Sequence, residues 1–347
     1  MKRFTMACLS LTLTMALTQA APAAADDVAD FYRGKQLTMM VGFPPGGLND
    51  LSARLVARYM VKYLPGSPRQ VVQNMPGAGG LTVVNYLYNV AAKDGTVVAG
   101  ILRSIPQTAY LGDPNIRFDV AQFNWLGSTS SFADDAYALF IMSDRPVKSW
   151  ADLKAAQKPV MIGAVGADIK LTFSLFVRDI LKGNIAVTHG YRGAAELFLA
   201  MQNGEIDSQF NSLSSTKAAQ GTLWRNGAFR GLVQFGRQTR HPELPDAPTG
   251  RELVTNDDDR ALLAFAEAPL YMSLPFAAPP GVPAERVQAL RAAFDKAHTD
   301  PDFLAEAAKA ELDVSPIDGA AVAKLVADMS TASPALLKRF EAISTLR

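Results

Sequence analysis

Hydrophobic positions along this chain recur with two periods that take turns. QLTMMVGF (36–43) is a short apolar run of strand type. After it, Leu51, Leu55 and Tyr59 return every four residues with Val56, Met60 and Tyr63 beside them, which predicts one apolar face of a helix. VVQN (71–74) reads as a second strand, PGAGG (76–80) as a break, LTVVNYLYNVAA (81–92) as a helix and GTVVAGIL (95–102) as a third strand. The cycle restarts at KPVMIGAV (158–165), a strand, followed by the helix LTFSLFVRDIL (171–181), a strand from Ala186, the helix GAAELFLAMQNG (193–204), and strands at 207–211 and 231–236. Strands separated by helices predict α/β architecture, with parallel sheets covered on both faces.

Two stretches break the cycle. FNWLGSTSSFADDAYALFIM (123–142) and PLYMSLPFAA (269–278) are strand-like but carry no helix. We read them as the outward and return crossings between two lobes. Helices follow the second crossing, at 283–298, at 300–312 with Asp300 and Pro301 as a start signal, and from Asp318. The expected organisation is residues 27–128 plus 265–347 as the first lobe and 129–264 as the second.

The N-terminus follows a different pattern. Lys2 and Arg3 precede an apolar stretch from Phe4 to Leu17, and Ala23-Ala24-Ala25 precede Asp26. That layout predicts a secretory signal peptide over residues 1–25. A short membrane anchor is the alternative, disfavoured by the length of the apolar stretch. The single cysteine, Cys8, lies inside this segment, too early for a lipid-attachment site, so the mature chain is expected to lack disulfides. A cysteine-free exported chain suits a bacterial periplasm. Among the 347 residues, 49% are apolar and 19% charged, with a formal charge of +1. Loss of Lys2 and Arg3 leaves 32 basic against 33 acidic residues, a balance of −1. No basic excess points to nucleic acid.

The corners carry the candidate chemistry. VGFPPGGLNDLSARLVARYM (41–60) places Gly46 and Gly47 between a strand and a helix, with Leu48 after them and Asn49 or Asp50 available as a cap. Bare backbone at a helix start offers N–H groups and partial positive charge to an anion. A plain turn favours the same residues. Glycine corners recur at 77–80, at 163–166 and at Tyr191-Arg192-Gly193, so several could face one cleft. No lysine follows these glycines at P-loop spacing, and the dinucleotide fingerprint fails at Thr82. The three histidines, His189, His241 and His298, form no metal-type pair, and no G-x-S-x-G elbow occurs. Asp134-Asp135 and Asp257-Asp258-Asp259 are carboxylate clusters; the second reads as a helix start. Arg103 and Ser104 follow the strand at 95–102. Arg103 can pair with a carboxylate through two N–H groups, or lie exposed at a cleft mouth.

Taken together, these stretches resemble the Bug (TctC-like) family of periplasmic solute receptors of tripartite tricarboxylate transporters. The resemblance rests on 41–60, 71–100, FNWLGS (123–128), GYRGAAELFLAMQNGEID (190–207), LPDAPTGREL (244–253) and 276–303. Its most specific pieces are Asn74-Met75-Pro76-Gly77-Ala78-Gly79-Gly80 and Lys93-Asp94-Gly95-Thr96. It implies a periplasmic-binding-protein, Venus-flytrap fold of type II-like form, with two α/β lobes and a two-strand hinge. It implies capture of a small organic carboxylate by Gly46–Asp50 from one lobe. The corner Gly163–Lys170 (Gly166, Ala167, Asp168 and Lys170 in particular), the segment Tyr191-Arg192-Gly193, and Asn211 with Ser212 close from the other. The chain departs from the family's hydroxyl-rich S-S-G-x-G-S pattern, with Ile162, Gly163, Ala164, Val165, Gly166 and Ala167 in those places. Fewer hydroxyls, and Asp168 beside them, disfavour a second carboxylate on the ligand. The resemblance further implies a monomer with no enzymatic activity, no cofactor and no metal, partnered by membrane permease subunits. A periplasmic enzyme on the same fold and a sensor for a signalling partner are the competing expectations.

Overall fold

A computed structural model describes residues 23–165, 169–191, 193–310 and 312–344. Most of the predicted signal peptide therefore lies outside the described residues. The first helix, Ala23–Tyr32, begins within the alanines of the expected cleavage site.

Eleven strands are described: β1 (Gln36–Val41), β2 (Arg69–Asn74), β3 (Val97–Gly100), β4 (Asn124–Ser128), β5 (Tyr137–Met142), β6 (Val160–Ala164), β7 (Ile185–His189), β8 (Ser208–Ser212), β9 (Phe229–Phe235), β10 (Pro275–Ala278) and β11 (Ile317–Asp318). They form two sheets, ordered β11-β4-β10-β3-β1-β2 and β7-β6-β8-β5-β9. The sheets are mixed rather than purely parallel. β2, β1 and β3 run parallel, as do β7, β6 and β8. The crossing strands pair antiparallel: β10 with β3 and β4, and β5 with β8 and β9. The period-based reading expected parallel sheets because a strand's period carries no information on its neighbour's direction.

The helix Leu48–Tyr63 buries Ser52, Ala53, Leu55, Val56, Tyr59 and Met60. Leu55, Val56, Tyr59 and Met60 thus lie on the expected apolar face, whereas Leu51 and Tyr63, expected there too, are exposed at its two ends. Val56 and Met60 pack with Met39, Val98, Leu290 and Phe294 on one face of the first sheet. On the other face, Val84 and Leu87 join Met40 and Trp125. That cluster continues without a break into the second sheet, through Phe132 and Tyr137 to Phe173, Phe210 and Phe235. Tyr137 stacks on Phe210 at 5.9 Å, and Phe173 on Phe235 at 4.4 Å. Leu197, Phe198 and Met201 cover the far face, against Ala138 and Phe140.

The two crossings touch each other. Thr129 N–H donates to Leu274 O (3.0 Å), and Ser273 N–H to Ser130 O (2.8 Å). Ser131 N–H donates to Ser315 Oγ (2.9 Å), which ties the loop before β11 to the same place. Near the start of the return crossing, buried Glu267 accepts from Gly236 N–H, Arg251 and Tyr271. The last helix, Pro334–Ser344, was absent from the period-based reading. It packs on the helices Ile169–Asp179 and Asp257–Glu267, with Phe340 edge-on to Phe265 at 5.0 Å.

Candidate functional site

A cavity of about 260 Å³ lies where the two sheets' corners face each other, beside the crossings. From the first sheet's side it is lined by Leu48, Arg103, Ser273, Leu274, Leu312 and Asp313. Asp135, Tyr137, Ile169, Lys170, Asn211, Ser212 and Ser214 line it from the second, with Ser130 and Phe132 in the crossing between. The volume falls just below the ~300–1,000 Å³ of pockets for drug-sized ligands, room for a small molecule.

The first corner is held by an internal ion network. Gly47 is the N-cap of the helix Leu48–Tyr63, with no side-chain cap. Asn49 and Asp50 therefore sit inside the first turn, and neither is the cap that the sequence suggested. Asp50 is 1% exposed and reaches back instead. Its Oδ2 accepts from Gly46 N–H (2.8 Å) and Arg54 Nε (2.9 Å), and its Oδ1 from Asn74 Nδ2 (2.8 Å). Arg54 also reaches Asn74 Oδ1 (2.8 Å). Burial alone would push the Asp50 carboxyl up, but the bonds from Arg54, Asn74 and Gly46 outweigh it and hold it at about 2. The Gly46 amide is thus engaged by the protein's own carboxylate. The first amides of this helix, at Leu48 to Asp50, have no acceptor within the helix and carry its positive dipole end. Leu48 stands at the cavity, 53% exposed.

Arg103 ends the turn after β3. Its Nη1 donates to Ser273 Oγ (3.0 Å), and its guanidinium lies 5.9 Å from the Phe132 ring centre. A side chain of the first β-strand series thereby reaches the return crossing. Ser104 caps the short helix Ile105–Tyr110 by position and does not line the cavity. Lys170, in the first turn of the helix Ile169–Asp179, is buried; its Nζ donates to Phe210 O and to Asn211 Oδ1 (3.2 Å). Asn211 in turn donates to Thr216 Oγ1 (3.2 Å). Ser212 caps the helix Leu213–Ala219 by accepting from Ser215 N–H (3.1 Å).

Of the remaining sequence candidates, Tyr191 and Gly193 are described but do not line this cavity. Gly193 is extended and precedes the helix Ala194–Asn203. Gly166, Ala167, Asp168 and Arg192 lie outside the described residues. Asp135, Ser214, Ser273 and Asp313 line the cavity and were not among the sequence candidates. Asp135 is buried and accepts from Ala136 N–H (2.8 Å), Ser214 N–H (3.0 Å) and Ser214 Oγ. Asp313 accepts from the hydroxyls of Ser130 and Ser315. Burial pushes Asp313 above the ordinary carboxylate range; the two hydroxyls oppose this, and the charges of Asp135 and Asp134 add to it. The adjacent pair Asp134-Asp135 was visible in the sequence as a cluster. Asp313 had no local signal, because only the fold carries it to the crossing.

His298 is buried behind the crossing rather than in the cavity, with Thr129 Oγ1 2.9 Å from Nε2. His189 is exposed at the end of β7. Among the described residues no group of His, Cys, Asp and Glu could hold a metal ion, and no helix is long and apolar enough to cross a membrane.

The comparisons agree with one another. The family model described as "Tripartite tricarboxylate transporter family receptor" matches residues 52–341. A Cupriavidus necator protein, "UPF0065 protein in gbd 5'region", is 25% identical over 320 residues, covering 90% of this chain and 89% of its own. A TctC solute-binding protein from Polaromonas superposes with a TM-score of 0.67 at 21% identity, over 90% of this chain and 98% of its own. MatC from Rhodopseudomonas palustris, solved with bound malate, does so at 0.57 and 20% identity, over 90% and 99%. These structural likenesses establish the two-lobed α/β fold of periplasmic binding proteins. The family consists of solute-binding receptors rather than enzymes, and the matched span covers most of the chain. The chain belongs to the tripartite tricarboxylate transporter family of receptors.

Proposed function

We propose that this receptor captures a small organic carboxylate in the cavity between its sheets and delivers it to the membrane permease of a tripartite transporter. The observation that carries the reading is convergence. Leu48 at a helix start and Arg103 come from the first sheet, and Lys170, Asn211 and Ser212 come from the second, all on one cavity of about 260 Å³. Malate in MatC is a ligand of this class in a protein of the same fold. The two lobes, taken as 27–128 with 265–347 and as 129–264, would close on the guest by bending at the paired crossings. The helix-start amides from Leu48 onward, rather than the Gly46 amide, are the backbone donors offered to the anion. Export through the segment 1–25 would place the protein in the periplasm, where it acts as a monomer.

The test is a thermal-shift screen of mono- and dicarboxylates, followed by calorimetry on Arg103→Ala with the best of them. A charge-assisted hydrogen bond is worth about 1.5–3 kcal/mol, so affinity should fall roughly 10- to 150-fold. Unchanged affinity removes Arg103 from the site. A screen in which no carboxylate stabilises the protein overturns the reading.

A further inference from the structure

A second cavity, of about 560 Å³, opens on the other side of the crossings. Ser130 borders the first cavity and Ser131 this one, so neighbouring residues of the first crossing turn to different spaces. On the return crossing, Ser273 and Leu274 border the first and Tyr271 the second. Walls come from both sheets. Gly236 and Arg237 follow β9 of the second sheet, whereas Ile317 lies in β11 of the first and Ala321 and Leu325 in the helix Gly319–Ser330 behind it. With Phe132, Ala133 and Tyr271 these make a largely apolar lining. A volume within ~300–1,000 Å³, an apolar wall with few polar groups and a place between two packed units are the marks of a small-molecule site.

The charges at its edge give the guest a sign. Lys324 and Asp328 pair with each other at 2.7 Å. The Glu267 carboxylate beside Tyr271 is paired with Arg251 at 2.7 Å. Arg237 has no such partner. Its Nη1 donates to Ala133 O (2.7 Å) and Asp135 O (3.0 Å), and its Nε to Thr239 O (3.2 Å). All three acceptors are uncharged carbonyls, and among the described residues no carboxylate pairs with it. The lining therefore carries one cation whose charge is unanswered, at the edge of an apolar space, which suits a guest with an apolar body and a single carboxylate.

One residue joins the two cavities. Phe132 is 5% exposed and borders both. Its backbone takes φ of +57°, a region that non-glycine residues seldom occupy and that the surroundings must enforce. Its ring lies 5.9 Å from the Arg103 guanidinium on the ligand side. Bending at the crossings moves the wall that follows β9 against the helix Gly319–Ser330, so a guest touching both walls binds the bent and unbent states unequally.

We propose that this rear cavity is a second ligand site, taking a compact apolar monocarboxylate against Arg237, and that its occupancy opposes closure on the guest in front. With the crossings as fulcrum, closing the front spreads the rear walls and costs the rear guest its contacts. The coupling rests on the carboxylate-receptor reading; the rear site itself does not.

The test is NMR on the mature protein with para-fluorophenylacetate. It should bind with a dissociation constant below about 1 mM, and the uncharged para-fluorophenylacetamide about tenfold or more weakly, the scale of one charge-assisted bond. Intermolecular Overhauser contacts should reach the methyl groups of Ile317, Ala321 and Leu325, and Ala321→Trp, which fills the space, should abolish binding. No binding, equal binding of the amide, or contacts to the methyl groups of Leu48 and Ile169 instead overturns the site. The Overhauser contacts decide alone if the variant does not fold. A carboxylate found in the thermal-shift screen should bind about fivefold or more weakly when the fluorinated acid is saturating, and the reverse. Unchanged affinity overturns the opposition to closure. Failure of the fluorinated acid to bind leaves the front cavity's reading untouched, since that reading falls only if the screen itself finds no carboxylate; in that case binding at the rear decides alone.

Discussion

Protonating His298 should loosen the crossing that it supports. The ring is 3% exposed, with the Phe294 ring centre at 4.1 Å and that of Phe303 at 4.7 Å. Nδ1 lies 2.8 Å from Phe294 O, which can only accept, so Nδ1 carries the proton and Nε2 takes the Thr129 hydroxyl. Burial lowers the imidazole from 6.5 to about 4, with the Phe294 carbonyl acting weakly the other way. The folded state therefore holds the ring neutral at pH values where the unfolded chain already binds a proton. The stabilisation is complete above pH 6.5 and is lost as the pH falls from there through 4. Two and a half pH units correspond to about 3 kcal/mol over the full window, and to about 2 kcal/mol by pH 5. Urea unfolding at pH 7.5 and pH 5, on the wild type and on His298→Gln, isolates this contribution from that of the carboxylates. The wild type should lose about 2 kcal/mol more than the variant across that interval. Parallel losses in the two proteins would refute the claim that this histidine is held neutral.

The fold and the first corner offer further tests. Gly127→Ala should destabilise the protein by about 2–3 kcal/mol in chemical unfolding. With φ at +153°, its Cβ would stand 2.3 Å from Phe294 Cε1 and 2.7 Å from Ile317 O, so a loss below 0.5 kcal/mol, roughly the level of a neutral surface change, would mean that β4 can shift. Asp50→Ala should cost about 1–3 kcal/mol, because Gly46 N–H and Arg54 lose their shared acceptor. Equal urea midpoints for this variant and the wild type would show that the corner holds without the carboxylate.

Much of the architecture was legible because strands and helices announce themselves locally. The apolar run at Gln36, the Asp300-Pro301 start and the stop at Gly204 all reappear as element boundaries. The two crossings were legible as strand-like stretches without helices, although the first resolves into β4 and β5 and the second into a 3₁₀ turn, Leu270–Met272, followed by β10. Antiparallel pairing within the sheets was not legible, since a strand's period says nothing of its neighbour's direction.

The site divides the same way. Arg103 could be singled out because it follows a strand end, where ligands gather at the rim of an α/β sheet, whereas Lys170, Asn211 and Ser212 entered only through the resemblance to the receptor family. Whether a rim residue turns into the cavity or into the protein depends on partners far away in the chain. Asp50 looked like a cap or a ligand contact, yet Asn74 and Arg54 draw its carboxylate inward. Leu51 looked like core and is exposed, since it lies in the first turn of its helix, before the stretch Leu55–Met60 that packs on the sheet. Asp313 and Asp135 share a cavity only because Ser130, Ser131 and Ser315 bring the C-terminal segment back to the first crossing. Local spacing thus determined which elements form and which corners lie at the rim. The charges that face one another across the cavity were decided by tertiary structure alone, because contacts between residues more than a hundred positions apart leave no periodic trace in the chain.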